Sequence, residues 1–179
     1  MSRVGKRILN IPNGTEVSIN NSYVEVKGPK GTLSYQFSNL ITIANENNQV
    51  TTTRANEDKH TKQLHGTTNS LIAAMIKGVS EGFTKEIEIK GVGYKATLKG
   101  EILEVIAGYS HPVNLSIPSN LQVSVPKPTQ IIISGIDKQA VGQFAAIVRD
   151  VRRPSPYSGK GIMYKDEVVR RKEGKTASK

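Results

Sequence analysis

Hydrophobic and polar residues alternate along most of this chain, and the alternation gives way twice to a longer period. Val17 and Ile19 share one side of Thr15–Asn20. Val24 and Val26 share one side of Tyr23–Lys27, with Tyr23, Glu25 and Lys27 opposite. A period of two is the signature of a half-buried strand. Gly28-Pro29-Lys30-Gly31 places Pro second and Gly fourth, as a type I turn prefers, so Thr32–Phe37 returns as the hairpin partner. Leu40–Ala44 and Gln49–Arg54 read as two further strands around a polar turn, Asn45–Asn48. The period then becomes helical. Leu64, Leu71, Ile72, Met75 and Val79 share a side, Asp58 is placed to cap the start, and Gly78 and Gly82 to end it.

The second half follows the same plan. Phe83–Lys90, Val92–Leu98, Glu101–Ala107, Pro112–Ile117, Leu121–Val125 and Thr129–Ser134 read as strands. Asp137 then opens a helix with the stripe Val141, Phe144, Ile147, Val148 and Val151, which Pro154 stops. Gly66–Ile72 overlays Gly142–Val148 at an offset of 76, and Val26 overlays Val105 at 79. A near-constant offset between similar element orders points to duplication. The expected fold is therefore α+β, with two tandem, duplicated small domains at 1–82 and 83–154. Each would be an antiparallel-rich sheet covered by one main helix, and a basic C-terminal extension follows at 155–179.

Charge changes this picture from a plain scaffold to one that aims something. The formal net charge is +10, and Arg149–Lys179 holds ten Lys or Arg against four acids. A solvated surface does not concentrate its excess in one tail, and an extended cationic segment calls for a polyanion. Cysteine is absent, which excludes disulfides and thiolate metal sites and suits a reducing compartment. The start of the chain lacks the apolar region of a secretory signal, and no run reaches the ~18 apolar residues of a membrane span. The expectation is an intracellular, basic protein with no membrane partner.

Catalytic chemistry finds no foothold. Gly91-Val92-Gly93-Tyr94-Lys95 is not a dinucleotide fingerprint, and Gly159-Lys160-Gly161 lacks the spacing and the Ser/Thr of a P-loop. His60, His65 and His111 have no metal-ligand spacing and read as surface polar residues. Glu86 and Glu88 share a strand face that reads as solvated. Gly28–Gly31 has the form of a backbone-clamping RNA loop but sits between strands, where a plain turn fits better. No enzyme activity, cofactor, metal or small-molecule substrate is expected.

The tail remains. Arg149 and Arg153 lie four apart at a helix end, with Arg152 beside them, where the helix dipole also favours cations. Capping does not account for Lys160, Lys165, Arg170, Arg171, Lys172 and Lys175 beyond Pro154. Gly159 and Gly161 let backbone approach a phosphate, and Tyr157 and Tyr164 offer faces for stacking. Lys95 is a secondary candidate.

Pro156-Tyr157-Ser158-Gly159-Lys160-Gly161-Ile162, with Arg152-Arg153-Pro154 before it and Tyr164 after, resembles the bacterial-type large ribosomal subunit protein six ("L six") family. Ser2–Lys6, Lys90–Ala96 and Val169–Lys175 extend the resemblance over essentially the whole length. The family pattern has an acid where this chain has Ser155 and a lysine where it has Ser158, so one phosphate contact would be lost at Ser158. The resemblance implies a structural, non-catalytic component of the cytoplasmic ribosome. It would bind 23S rRNA through the second domain and tail, beside other large-subunit proteins and near the translation-factor site. A non-ribosomal RNA chaperone or regulator would share the charge features, and an RNA-directed enzyme with a basic docking tail is the remaining alternative.

Overall fold

The computed structural model describes residues 3–175; Ser2 of the N-terminal motif and Lys179 of the basic tail fall outside the described residues. The chain divides into two compact units. One runs to Phe83 and takes in Ile136–Lys138; the other comprises Thr84–Gly135 and the chain from Gln139 onward.

In the first half β1 (Leu9–Asn10) precedes a meander of β2 (Glu16–Asn20), β3 (Tyr23–Gly28) and β4 (Gly31–Gln36). The hairpin β5 (Ile41–Glu46) and β6 (Gln49–Arg54) follows, then helix α1 (Lys59–Ser80). In the second half β7 (Phe83–Lys90) precedes the meander β8 (Lys95–Lys99), β9 (Ile102–Ile106) and β10 (Val113–Ser116). The hairpin β11 (Leu121–Lys127) and β12 (Gln130–Gly135) and helix α2 (Lys138–Val151) come next, and β13 (Gly161–Tyr164) is added after them.

One sheet per repeat was the expectation, and the sequence order of elements agrees with it, but each repeat builds two sheets. The meander strands pair only among themselves, as β2-β3-β4 and as β10-β9-β8. The hairpins instead recruit the strand that preceded the meander, giving β1-β6-β5 and β11-β12-β7-β13. A period of two identifies strands but carries no information about partners. The two-residue β1 is too short to show a period, and periodicity alone passes it over.

Register explains the first core. Val24 stands opposite Ile19 and Tyr35, and Val26 opposite Val17 and Leu33, so one face of the meander is apolar throughout. That face and Ile41, Ile43 and Val50 from the other sheet close around Ile72, Met75, Ile76 and Val79 of α1. The helix touches both sheets, through β3 and β4 and through β5 and β6. Gly28-Pro29-Lys30-Gly31 is a hairpin turn, with Gly28 paired to Gly31, and it lies on the end of α1, where the Lys30 N–H donates to the Val79 carbonyl at 3.0 Å. Asp58 occupies the N-cap position, but its side chain makes no capping bond.

Three readings of the helices need correction. Gly78 does not end α1. It is buried inside the helix, where an added Cβ would run into the Ile136 carbonyl, and the helix closes where the Glu81 and Gly82 N–H groups donate to the Lys77 carbonyl. His65 is not a surface residue: at 3% exposure it stands seven residues before Ile72, on the buried line of the helix. Ile147 is 43% exposed, because ~100° per residue carries it roughly a quarter turn off the Val141–Phe144–Val148 line.

His65 also belongs to a buried polar cluster that holds the N-terminal arm. Its Nε2–H donates to the Thr52 carbonyl at 2.9 Å. The Asn69 amide donates to the Arg7 carbonyl at 2.8 Å, and Thr52 Oγ1 donates to the Gly5 carbonyl at 3.0 Å. Buried polar groups cost stability unless paired, so this cluster favours one path for the arm over all others.

Gly78→Ala is expected to lower unfolding free energy by about 1–3 kcal/mol, the usual cost of overpacking against atoms that cannot move aside. The measurement is the urea midpoint at constant m-value. An unchanged midpoint would mean that Ile136 does not lie on α1.

Candidate nucleic-acid interface

The basic segment begins where α2 ends, and two buried side chains fix its path. β13 pairs antiparallel with β7, with Gly161 opposite Lys90, Ile162 opposite Ile89, Met163 opposite Glu88 and Tyr164 opposite Ile87. Ile162 is 0% and Met163 3% exposed, and each burial contributes about 1.5–3 kcal/mol. The basic segment thus supplies an edge strand and two buried core side chains, Ile162 and Met163. They were missed because two apolar residues among charges form no periodic stripe.

With both ends held, Arg152–Gly161 is a closed loop. The Ile162 N–H donates to the Arg152 carbonyl at 2.8 Å and the Ser155 N–H to the Lys160 carbonyl at 2.9 Å. The Gly159 N–H donates back to the Ser155 carbonyl at 2.8 Å. Ser155 Oγ also accepts from the N–H groups of Tyr157 and Ser158, at 3.3 and 3.5 Å. The serine found where the family pattern has an acid therefore organises the loop. Gly159 (φ 67°) and Gly161 (φ 141°) adopt backbone angles that other residues rarely tolerate. A Cβ on Gly159 would meet the Arg171 guanidinium, and one on Gly161 the backbone of Arg153 and Pro154. Arg171 Nη2 donates to the Tyr157 carbonyl at 3.4 Å and the Lys172 N–H to the Pro156 carbonyl at 3.0 Å, so the chain after β13 returns across the loop.

The candidate residues divide by what their charges already do. Arg149 is turned inward, with Nε and Nη2 donating to the Glu167 carboxylate at 2.8 and 2.5 Å. Its guanidinium also lies 5.6 Å from the Tyr164 ring centroid, and the Lys85 ammonium 5.2 Å from the same centroid. Lys165 is held by Glu86 at 2.8 Å. Hydrogen bonding from Lys165 keeps the Glu86 carboxyl below its ordinary pKa, the opposite of what a general acid at neutral pH needs. Arg153 pairs with Asp150 one turn back, but both are open to water, and such a pair yields readily to a phosphate.

Around the loop stand Arg152, Arg153, Lys160, Arg171 and Lys172, with Tyr157 60% exposed. Arg170 and Lys175 are exposed on the chain beyond β13. Lys95 is exposed at the start of β8. Tyr94 folds over Gly91 and against Gly108, and the Arg152 guanidinium lies 5.2 Å from the Tyr109 ring. Hydrogen bonding to Tyr109 is the first cause holding the Arg152 pKa above its ordinary value. Val92 is 89% exposed in the turn before β8, not in a strand as its alternation suggested. Tyr109 was not singled out from sequence, where Gly108-Tyr109 between two strands was its only local signal, and His111, read as a surface polar residue, is exposed.

The ribosomal protein L6 profile matches residues 11–82 and 90–165, one stretch for each repeat. The chain belongs to the ribosomal protein L6 family. Relatives match it end to end. The large ribosomal subunit protein uL6 of Metamycoplasma arthritidis is 69% identical over 179 residues, covering 100% of both chains. That of Mycoplasmopsis pulmonis is equally similar over the same span. The uL6 protein of Lactiplantibacillus plantarum is 54% identical over 176 residues, covering 98% of this chain and 99% of its own. The second L6 stretch takes in the whole Arg152–Gly161 loop and β13, and the full-length relatives extend the match through the chain that crosses it.

Glu167 yields a pH dependence. The hydrogen bond from Arg149 holds its carboxyl below the ordinary value, about 4.3 for a free glutamate. A lowered folded-state pKa contributes stability that is fully present above the unfolded value and lost as pH falls through the folded one. Glu167→Gln is therefore expected to lower the urea midpoint at pH 7 and to make progressively less difference below about pH 4. A double-mutant cycle with Arg149→Ala should give a coupling of about 1 kcal/mol at pH 7. Equal effects at both pH values would rule out the ion pair as the cause.

Proposed function

We propose that the protein is a non-catalytic structural constituent of the large ribosomal subunit in the cytoplasmic ribosome, binding 23S rRNA beside other large-subunit proteins. One observation carries this reading: relatives matched along the entire chain at up to 69% identity are large ribosomal subunit proteins. The closed basic loop supports it physically. Domain 83–154 with the extension 155–179 is the RNA-contacting part, and domain 1–82 is its duplicate. Arg152, Arg153, Lys160, Arg170, Arg171, Lys172 and Lys175 contact phosphates, with Lys95 at the margin. Tyr157 stacks or packs closely against RNA, while Gly159 and Gly161 let the backbone come near. Arg149 acts through Glu167 by holding the tail in place. A position near the translation-factor site rests on the family resemblance.

Phosphate neutralisation and shape suit this partner, because the deep major groove of A-form RNA withholds base edges from side chains. With six or more phosphates engaged, affinity for 23S rRNA should fall by about 10³–10⁵ between 50 and 200 mM salt. Lys160→Ala or Lys172→Ala should each make the log–log salt slope shallower by about one, and Arg149→Ala should leave the slope alone. Substitution is the appropriate test, since truncation before Ile162 would remove part of the core. A flat salt response, or failure to sediment with large subunits in high-magnesium gradients, would overturn the proposal; the second result with steep RNA binding intact would favour a non-ribosomal RNA chaperone.

A further inference from the structure

Beside the basic loop stand two rings that the phosphate contacts do not use. Tyr109 is 43% exposed, yet its position is fixed: its hydroxyl donates to the Val151 carbonyl at 2.9 Å, at the end of α2. The Arg152 guanidinium lies 5.2 Å from its ring centroid. His111, also exposed, holds its ring within 27° of parallel to Tyr109, with centroids 6.5 Å apart, and Ser110 Oγ lies 3.4 Å from its Nδ1. At 6.5 Å the rings are near the outer limit of mutual contact, so neither covers much of the other's face.

We propose that Tyr109 and His111, backed by Arg152, form a stacking platform for an unpaired base of the bound RNA, distinct from the phosphate contacts of the Arg152–Gly161 loop. The proposal rests on the RNA-binding reading above and adds a class of contact to it. An aromatic face held rigid in water gives up little entropy when a base settles on it, and a guanidinium beside it adds cation–π attraction. Single-stranded bases offer both faces for such contacts, whereas paired bases are already stacked. Structural duty accounts for the Tyr109 hydroxyl, whereas the exposed His111 ring meets its own chain neighbours Tyr109 and Ser110. Arg152 couples the platform to the loop, so a nucleotide stacked on Tyr109 has its phosphate near the cluster of cations.

The test uses the full-length protein, in vitro transcribed 23S rRNA, and affinities measured across a salt series. His111→Ala and Tyr109→Leu are expected to weaken binding on the order of 10- to 100-fold with the salt slope unchanged, because a stacked base is lost but no phosphate contact. Tyr109→Phe, which keeps the ring and removes only the hydroxyl, should bind within a few-fold of the parent. His111→Ala should also melt at the parent's temperature. The platform is overturned if His111→Ala binds like the parent. It is overturned equally if Tyr109→Leu makes the salt slope shallower by about one, the mark of a displaced Arg152, or if Tyr109→Phe loses as much as Tyr109→Leu. A parent protein that binds 23S rRNA with no salt dependence would instead defeat the phosphate-contact reading itself.

Discussion

The pairing of β13 with β7 governs the basic half of the molecule. Four residues add an edge strand to the sheet, and burial of Ile162 and Met163 holds them there. Pro154 ends α2 on one side of the loop and Gly161 opens β13 on the other, so the nine residues from Arg153 to Gly161 have little freedom left. The loop's own hydrogen bonds, centred on Ser155, remove most of what remains. A cationic segment that is ordered before it meets its partner does not have to give up that conformational entropy on binding. Loop rigidity therefore derives from the sheet, since Lys160 directly precedes β13 and the Arg152 carbonyl accepts from the Ile162 N–H.

The ion pairs sort the cations into two kinds. Arg149 and Lys165 face carboxylates, Glu167 and Glu86, on the flank where Tyr164 and Lys85 also gather. Their role is to tie the tail and β7 to the body of the unit. Arg152, Lys160, Arg171 and Lys172 surround the loop on the other flank, where backbone carbonyls and aromatic rings are the neighbours. An acid in contact with these would compete with phosphate for the same cation. Arg153 of the loop is engaged in this way by Asp150, and both members of that pair are open to water.

The two repeats share a plan and differ in where they are polar. Both order their elements as lone strand, meander, hairpin and helix. The first places its buried polar groups, Thr52, His65 and Asn69, beneath the N-terminal arm; Thr52 and Asn69 bind the arm's carbonyls, and His65 binds the Thr52 carbonyl. The second extends its helix-terminal region into the loop and β13, and the hairpin partner β12 already had β7 alongside to receive that strand. Duplication supplied the common frame. β13 and the basic loop before it follow the second helix alone.

Sequence alone determined the element types and nearly all their positions, the repeat, the concentration of positive charge and the family resemblance. Each of these is written locally or in composition: a strand shows its period within six residues and a helix within two turns. It also named most of the loop residues. What it could not decide was partnership. Whether Arg149 meets a phosphate or Glu167, whether His65 is wet or buried, and whether Tyr109 is a stray ring or lies beside Arg152 all depend on contacts between residues distant in the chain. The Tyr109–Val151 bond spans 42 residues, Lys165–Glu86 spans 79, and Asn69–Arg7 spans 62. Such pairs have no period to announce them, because they form only once the sheets have closed and brought one stretch of chain against another.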